Sequence, residues 1–470
     1  MVRLGTVAAL ALCATSVYGQ YKPTGTICGK DKKCPEDKPC CSQYGECGVG
    51  AFCLGGCDPL FSNSLDSCVP EPVCQDKSYK FDSLDGIADK TKYLGDASKA
   101  DFVADGNPSM LGEDAVLLTL QEDTTGTLLA STAYVWYGKV SARLKTSRGR
   151  GVVTAFILLS DVKDEIDFEF VGVDLETAQT NYYFQGITNY DNGENITITD
   201  TFENYHTYEI DWTPEQITWS IDGKIGRTQK KSETWNKTGN HFDYPQTPSR
   251  IQLSLWPAGL PTNGKGTVDW AGGQIQWDGP DYNPPGYYYA SVSEVKVQCY
   301  DPPDKAKKSG SKSYVFSDEA GTEEAVEVTG KETVLKSLIG TGTDMSKELP
   351  SKSKDEDDKE SETDSSDAAE SSLADITIPG QTGGGPGGAD SQRGGGDEGA
   401  GAEDTPSSTL ETGDEEGTVP GAESTEGASE FVQGTGSGED SSSNAPAQGE
   451  KVLKGSMFAV LVAMAGVILL

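Results

Sequence analysis

Acidic and apolar residues alternate without a break through Asp164-Glu165-Ile166-Asp167-Phe168-Glu169-Phe170. In a β-strand, residues two apart share a face. Glu165, Asp167 and Glu169 therefore stand together, with Ile166, Phe168 and Phe170 opposite. The apolar face anchors the strand in a core. The other face crowds three like charges, which folding alone does not favour, and a merely solvated face would mix its signs. The chemistry such a face can perform is carboxylate catalysis. Four residue steps of ~3.3 Å put the Cα atoms of the outer glutamates about 13 Å apart. With both side chains leaning inward over Asp167, the carboxyl gap approaches the ~5–5.5 Å of retaining glycosidases rather than the ~6.5–9.5 Å of inverting ones. Glu165 is then the nucleophile and Glu169 the acid/base that donates the proton. Asp167 is the helper that shares a proton with the nucleophile and helps keep Glu169 protonated through like-charge coupling.

A second stretch repeats this logic. Between Arg250 and Trp256, Ile251, Leu253 and Leu255 make an apolar face, while Arg250, Gln252, Ser254 and Trp256 face the other way. A Trp among polar residues suits stacking on a sugar ring, with the neighbours serving its hydroxyls. The segments from Trp256 to Gly259 and from Gly266 to Gly273 read as a loop bordering a cleft. With only two histidines, His206 and His241, a Ser–His–Asp hydrolase or a histidine zinc site is hard to build. His206 reads as a packed or cleft-lining side chain. No metal and no cofactor are expected.

The elements that must position these residues are short strands. Candidates are 115–120, 133–145, 152–160, 165–171, 182–186, 206–212, 216–221, 250–256, 274–277 and 291–298, with turn chemistry at Asp191-Asn192-Gly193, Asp222-Gly223 and Asn263-Gly264. Sustained helical periodicity is absent. Many antiparallel strands in about 225 residues predict a mainly β fold, a two-sheet sandwich or jelly roll, with the doubly apolar strand Val152–Leu159 in its buried layer.

Of the chain's formal charge of −36, residues 301–450 carry −24, from 35 acidic against 11 basic residues. Such a chain repels phosphates, and no nucleic-acid partner is expected. From residue 301 to 444 the Ser, Gly and acidic composition predicts a disordered stalk, which suits O-glycosylation. Arg3, the apolar run Val7–Val17 and the small residues ahead of Gln20 read as a signal peptide over 1–19. The apolar tail Met457–Leu470, a polar spacer and Ser443-Asn444-Ala445 match a GPI-attachment signal, with attachment at Asn444 or Ser443 and a propeptide over 445–470. The alternative, a C-terminal membrane span, needs more than 14 residues at ~1.5 Å each to cross ~30 Å. Ten cysteines remain after the signal peptide, an even number that reads as disulfides. Asn195 and Asn236 begin N-glycosylation acceptor sequences.

Eight cysteines between Cys28 and Cys68 define a module over 20–72 that disulfides must hold, since so small a segment buries little core. Spacing alone leaves its pairing open. Cys40-Cys41, then Ser42-Gln43-Tyr44-Gly45-Glu46-Cys47-Gly48, and Phe52 before Cys53, resemble the hevein-type chitin-binding module of carbohydrate-binding family 18. The resemblance implies the bonds Cys28–Cys41, Cys34–Cys47, Cys40–Cys53 and Cys57–Cys68. It also implies sugar contacts from Ser42, Tyr44 and Phe52, although Glu46 stands where the family has a second aromatic. Cys74 and Cys299 are left to pair, stapling the first and last strands of a domain over 73–300.

That domain resembles glycoside hydrolase family 16, on the E-x-D-x-E pattern of 164–170. His206-Thr207-Tyr208 and Ser254-Leu255-Trp256 resemble plant xyloglucan transglycosylases. Gly266-Thr267 and Trp270-Ala271-Gly272-Gly273 are closer to the fungal CRH cell-wall transglycosylases, whose domain order the chain shares. The resemblance implies a curved β-jelly-roll sandwich and a retaining transfer of chitin onto β-glucan, by an enzyme anchored to the outer face of the cell membrane and acting in the wall; a monomer is expected. It carries over Trp256 and Thr267 as sugar contacts, with Arg250 and Trp270 beside them. Pro257 and Leu260 depart from the fungal loop. The alternatives are a hydrolase of chitin or β-1,3-glucan, and a non-catalytic chitin-binding wall protein.

Overall fold

The computed structural model describes residues 25–187 and 189–349. The signal peptide, Ser443, Asn444 and the propeptide lie outside the described residues.

Two eight-stranded sheets form the fold, and one of them carries the acidic strand. Its own sheet comprises β1 (Ile87–Asp89), β2 (Phe102–Asp105), β3 (Thr127–Val135), β4 (Val152–Ser160), β5 (Glu165–Val171), β6 (Thr177–Tyr183), β7 (Glu194–Thr197) and β8 (Ser249–Pro257). The spatial order is β7-β6-β5-β4-β8-β3-β2-β1, antiparallel except for the β1–β2 edge pair. The second sheet is centred on Gly138–Lys145, His206–Trp212 and Tyr288–Cys299. The jelly-roll sandwich expected from the strand pattern is thus the fold.

Alternation in β5 does what it promised. Ile166, Phe168 and Phe170 enter the core between the sheets, where Phe168 stacks on Phe156 of β4 at 6.2 Å and both β5 rings meet Tyr208 of the second sheet. Burying an aromatic side chain contributes roughly 1.5–3 kcal/mol, enough to fix the strand's face and register. β4 is central and buried along its whole length, which is why its sequence is apolar on both faces. Cys74 and Cys299 are bonded, closing the strand Lys77–Lys80 against Tyr288–Cys299.

Two features depart from expectation. First, order does not end at residue 300. Ser313–Phe316 and Val326–Thr329 pair with each other, Lys307–Lys308 joins one edge, and Glu71–Pro72 joins the other. Tyr314, Phe316, Val326 and Val328 are buried with the main core, and Leu335 packs among Phe52, Leu54 and Val69 of the cysteine-rich module. A composition averaged over 301–444 hides this, because the short alternations Tyr314-Val315-Phe316 and Val326-Glu327-Val328 are diluted by acidic residues. Second, the loop after β8 contains a helix, α1 (Lys265–Trp270). It is moored at Gly151 and Gly259: Gly151 N–H donates to Ala271 O and Gly259 N–H to Gly151 O. A Cβ on Gly259 would lie 2.6 Å from the Gly151 Cα, so only glycine fits that approach.

The module contains the four expected disulfides, Cys28–Cys41, Cys34–Cys47, Cys40–Cys53 and Cys57–Cys68. It packs with the β-sandwich in one compact unit.

Candidate active site

Register arranges the outer face of the catalytic sheet in rows. One row reads Tyr183, Glu165, Leu159, Arg250; the next reads Asn181, Asp167, Ile157, Gln252; the third reads Gln179, Glu169, Ala155, Ser254. β4 thus supplies a low apolar floor between the carboxylates of β5 and the polar residues of β8. The start of β5 is locked by Asp164, whose carboxylate accepts hydrogen bonds from the backbone N–H of Gln185, Gln246 and Thr247 and from the Thr247 hydroxyl. Trp219 of the second sheet donates its indole N–H to the Asp167 carbonyl at 3.0 Å.

All three carboxylates are buried, Glu165 at 3% exposure and Asp167 and Glu169 at 0%. Glu165 Oε1 and both Asp167 carboxylate oxygens have no hydrogen-bond partner among the described residues. Buried polar atoms are normally satisfied, so this set is suited to a ligand rather than to stability. Burial, then the adjacent Asp167 charge, pushes Glu165 well above the usual carboxylate range, against the pull of Lys163. Burial pushes Asp167 up to about 7, against the pull of Arg227. Two neighbouring acids that resist joint ionisation can hold one proton between them, an arrangement compatible with the helper role expected of Asp167.

One side of the face is walled by α1 and its loop. Trp256 stacks on Trp270 at 6.2 Å and 27° between planes. Trp270 donates its indole N–H to Gln179 Oε1 at 2.9 Å, and Gln179 is the direct cross-strand neighbour of Glu169. The indole therefore reaches across β5 beside Glu169. Trp256 Nε1 and Thr267 Oγ1 are buried with no partner among the described residues. The structure brings these three expected sugar contacts to the same wall.

The other side is walled by the cysteine-rich module, and here the expectations fail. Ser42, Tyr44 and Phe52 are not a free sugar-binding face, being 3%, 5% and 2% exposed. The Ser42 hydroxyl accepts the backbone N–H of Tyr44 and of Glu46, Tyr44 points its hydroxyl at Asp105 of β2, and Phe52 fills the module's own core. Arg250 does not reach the reacting centre either. Its Nε donates to Ser131 O, and its guanidinium lies under Gly55 of the module. An arginine on the polar face of β8 reads as a sugar contact only while nothing is known to sit on top of it.

His206 packs on the second sheet, bonded to Asp222 and Thr199. Asn195 is exposed on the edge strand β7, whereas the Asn236 side chain is engaged with Asp243 and two backbone N–H groups. Several residues of the site escape a sequence reading: Gln179, Asn181 and Tyr183 of β6, and Arg227, whose guanidinium stacks on Trp219 at 4.4 Å and acts on Asp167. The β6 residues have a visible signal, because Gln179, Asn181 and Tyr183 alternate with Ala178, Thr180 and Tyr182. Arg227 has none, being placed by a strand whose other residues are nearly all exposed.

Residues 96–272 match the family model "Glycosyl hydrolases family 16", a span that holds the three carboxylates and α1. "Crh-like protein 3" of Botryotinia fuckeliana is 56% identical over 330 residues, covering 70% of this chain and 74% of that protein. "Congo red hypersensitive protein 2" of Saccharomyces cerevisiae is 48% identical over 341 residues, covering 72% and 73%. Among solved structures, "Crh5 transglycosylase in complex with NAG" is similar at 28% identity with a TM-score of 0.47, over 58% of this chain and 99% of that one.

Proposed function

The chain belongs to glycosyl hydrolase family 16 and to its Crh-like proteins, and from that premise we propose that it cleaves chitin and transfers the fragment to β-glucan in a cell wall. The observation that carries the reading is the buried set of Glu165, Asp167 and Glu169 on one strand face, bordered by Trp256 and Trp270. Glu165 attacks the anomeric carbon of the donor while Glu169 gives its proton to the leaving oxygen. The proton shared by the pair passes wholly to Asp167 as Glu165 becomes bonded and loses its charge. Glu169, now a base, takes the proton of an acceptor hydroxyl, and that oxygen displaces Glu165 from the anomeric carbon. Trp256 and Thr267 orient the donor, with the unpartnered indole N–H and hydroxyl available to sugar oxygens. A non-catalytic wall protein has no need of three buried carboxylates on one strand face.

The same steps with water as acceptor make a hydrolase. Closure of the site by Trp270 on one side and by the module on the other favours the sugar, since transfer requires water to be kept from the glycosyl-enzyme. Secretion, an outer-face GPI anchor at Asn444 or Ser443, N-glycans at Asn195 and Asn236 and a monomeric state belong to this proposal. Ten cysteines in five disulfides suit an oxidising compartment.

The test is to incubate the purified chain with a chitin oligosaccharide and a fluorescent laminarin-oligosaccharide acceptor. Labelled hybrid products are expected. Shortened chitin without labelled hybrids would make the protein a hydrolase, and no cleavage of chitin would refute the donor.

A further inference from the structure

Arg227 alone is buried on the strand Lys224–Lys230, at 5% exposure. Taking a guanidinium out of water is costly unless charge and hydrogen bonds offset the loss. Its one ion-pair partner among the described residues is Glu194 of the edge strand β7, 3.8 Å from Nε with a side chain 62% exposed. A pair so long and so wet offsets little.

Every closer contact fixes Arg227 against the acidic strand. Nη1 donates to Thr180 O at 2.9 Å and to Thr180 Oγ1 at 3.0 Å, and Nη2 donates to Asn192 O at 2.6 Å. Thr180 is the cross-strand partner of Phe168, the residue after Asp167. The guanidinium carbon lies 4.4 Å from the ring of Trp219, its own cross-strand partner. That same indole donates to the Asp167 carbonyl at 3.0 Å. Arg227 therefore sits on the core side of β5 and β6, while the three carboxylates crowd the outer side. Across a buried sheet a cation and an anion attract more strongly than through water.

The other titratable groups around the two are Glu165 and Glu169 on β5, Tyr182 and Tyr183 on β6 and Glu194 on β7, with Lys163 acting on Glu165. On β4 and β8 the neighbours of Asp167 in its row are Ile157 and Gln252, which carry no charge. Arg227 is the cation that draws the Asp167 carboxyl down, aided by the Asn181 backbone N–H.

We propose that Arg227 is a positioning residue for the transfer, the counter-charge that keeps the Glu165–Asp167 pair at a single proton so that Glu165 is free to attack. It touches no reacting atom and acts through Asp167. Without it both acids hold their protons to higher pH, and a protonated Glu165 is no nucleophile. This rests on the roles given to Glu165 and Asp167 above.

The experiment uses the full chain with Arg227→Met, Arg227→Gln and Arg227→Lys. Glutamine keeps a donor for the Thr180 carbonyl and serves if the methionine variant folds poorly. The first readout is the pH profile of kcat/KM on whichever donor, chito-oligosaccharide or laminarin oligosaccharide, the unaltered chain cleaves. The acid limb should move up by about half a pH unit or more in the neutral variants and stay within ~0.2 unit in Arg227→Lys. Lost packing alone lowers kcat without moving the limb. A fixed limb in the neutral variants, or an equal shift in Arg227→Lys, overturns the proposal. The second readout needs no turnover. It compares the rise in urea midpoint that Asp167→Asn brings at pH 8 in the unaltered chain and in a neutral Arg227 variant. The rise should be larger without Arg227, because ionised Asp167 then lacks its counter-charge, and an equal rise overturns the proposal. If no oligosaccharide is cleaved, the transfer reading fails, and this comparison still decides whether Arg227 acts on Asp167.

Discussion

Replacing Asp167 by Asn should make the protein more stable and less active, and the first effect has a calculable pH dependence. Asp167 is fully buried between two glutamates, and its carboxyl is pushed from 3.8 up to about 7. A raised carboxyl pKa means that the folded chain holds the proton more tightly than the unfolded one. The resulting stability is fully present below about pH 4 and is lost as the pH rises through about 7. With those two values and 1.36 kcal/mol per unit, ionising Asp167 costs about 4 kcal/mol at pH 8 and under about 1 kcal/mol at pH 4. Asn has the shape of the protonated acid and carries no such cost. The variant should therefore gain up to about 4 kcal/mol over the unaltered chain at pH 8 and almost nothing at pH 4. Asp58 and Asp161, both raised to about 6 by burial, titrate alike in the two chains and cancel from the difference. The assay is urea unfolding followed by tryptophan fluorescence at pH 4, 6 and 8, with midpoints compared at constant m. Transfer activity should fall about a hundredfold or more in the same preparation, since the proton shared with Glu165 is gone. A stability difference that does not grow with pH, or a variant less stable at pH 8, would refute the reasoning.

Three further outcomes are expected. Lys163→Met removes the cation that draws the Glu165 pKa down, so the acid limb of the kcat/KM profile should move to higher pH; a fixed limb would separate Lys163 from the nucleophile. Trp256→Ala removes the buried ring stacked on Trp270 and should raise donor KM roughly threefold to tenfold, with initial rates on graded donor concentrations as the check. Ending the chain at residue 300 strips Tyr314, Phe316 and Leu335 from the two cores they fill, and should lower Tm by well over 10 °C or prevent folding, as differential scanning fluorimetry would show.

Much of the site is legible in the sequence because it is built from strands. A period of two assigns each residue of 164–170 and 250–256 to a face, and the core then accepts only one of the two faces. That is enough to bring Glu165, Asp167 and Glu169 together without knowing the topology; Trp256 joins them because its strand and theirs both pair with β4. What period two does not carry is which residues are covered by another part of the chain. Arg250 has the pattern of a sugar contact, yet Gly55 lies over it. Tyr44 and Ser42 have the pattern of a hevein-type binding face, yet the catalytic sheet lies against them. Both errors come from treating the module and the sandwich as separate bodies, when residues 313–338 strap them together. Those residues were themselves concealed by the acidic composition around them.

The central claim is that Glu165 becomes bonded to the donor and that Glu169 serves first as acid and then as base. It is tested most directly by trapping that bond. In Glu169→Gln, a chito-oligosaccharide with a fluoride leaving group can still load the enzyme, because fluoride needs little protonation, whereas the acceptor is no longer deprotonated. Peptide mass spectrometry should then find the oligosaccharide mass on Glu165. An adduct on another residue, or rapid turnover with inversion at the anomeric carbon and no adduct, would contradict the account.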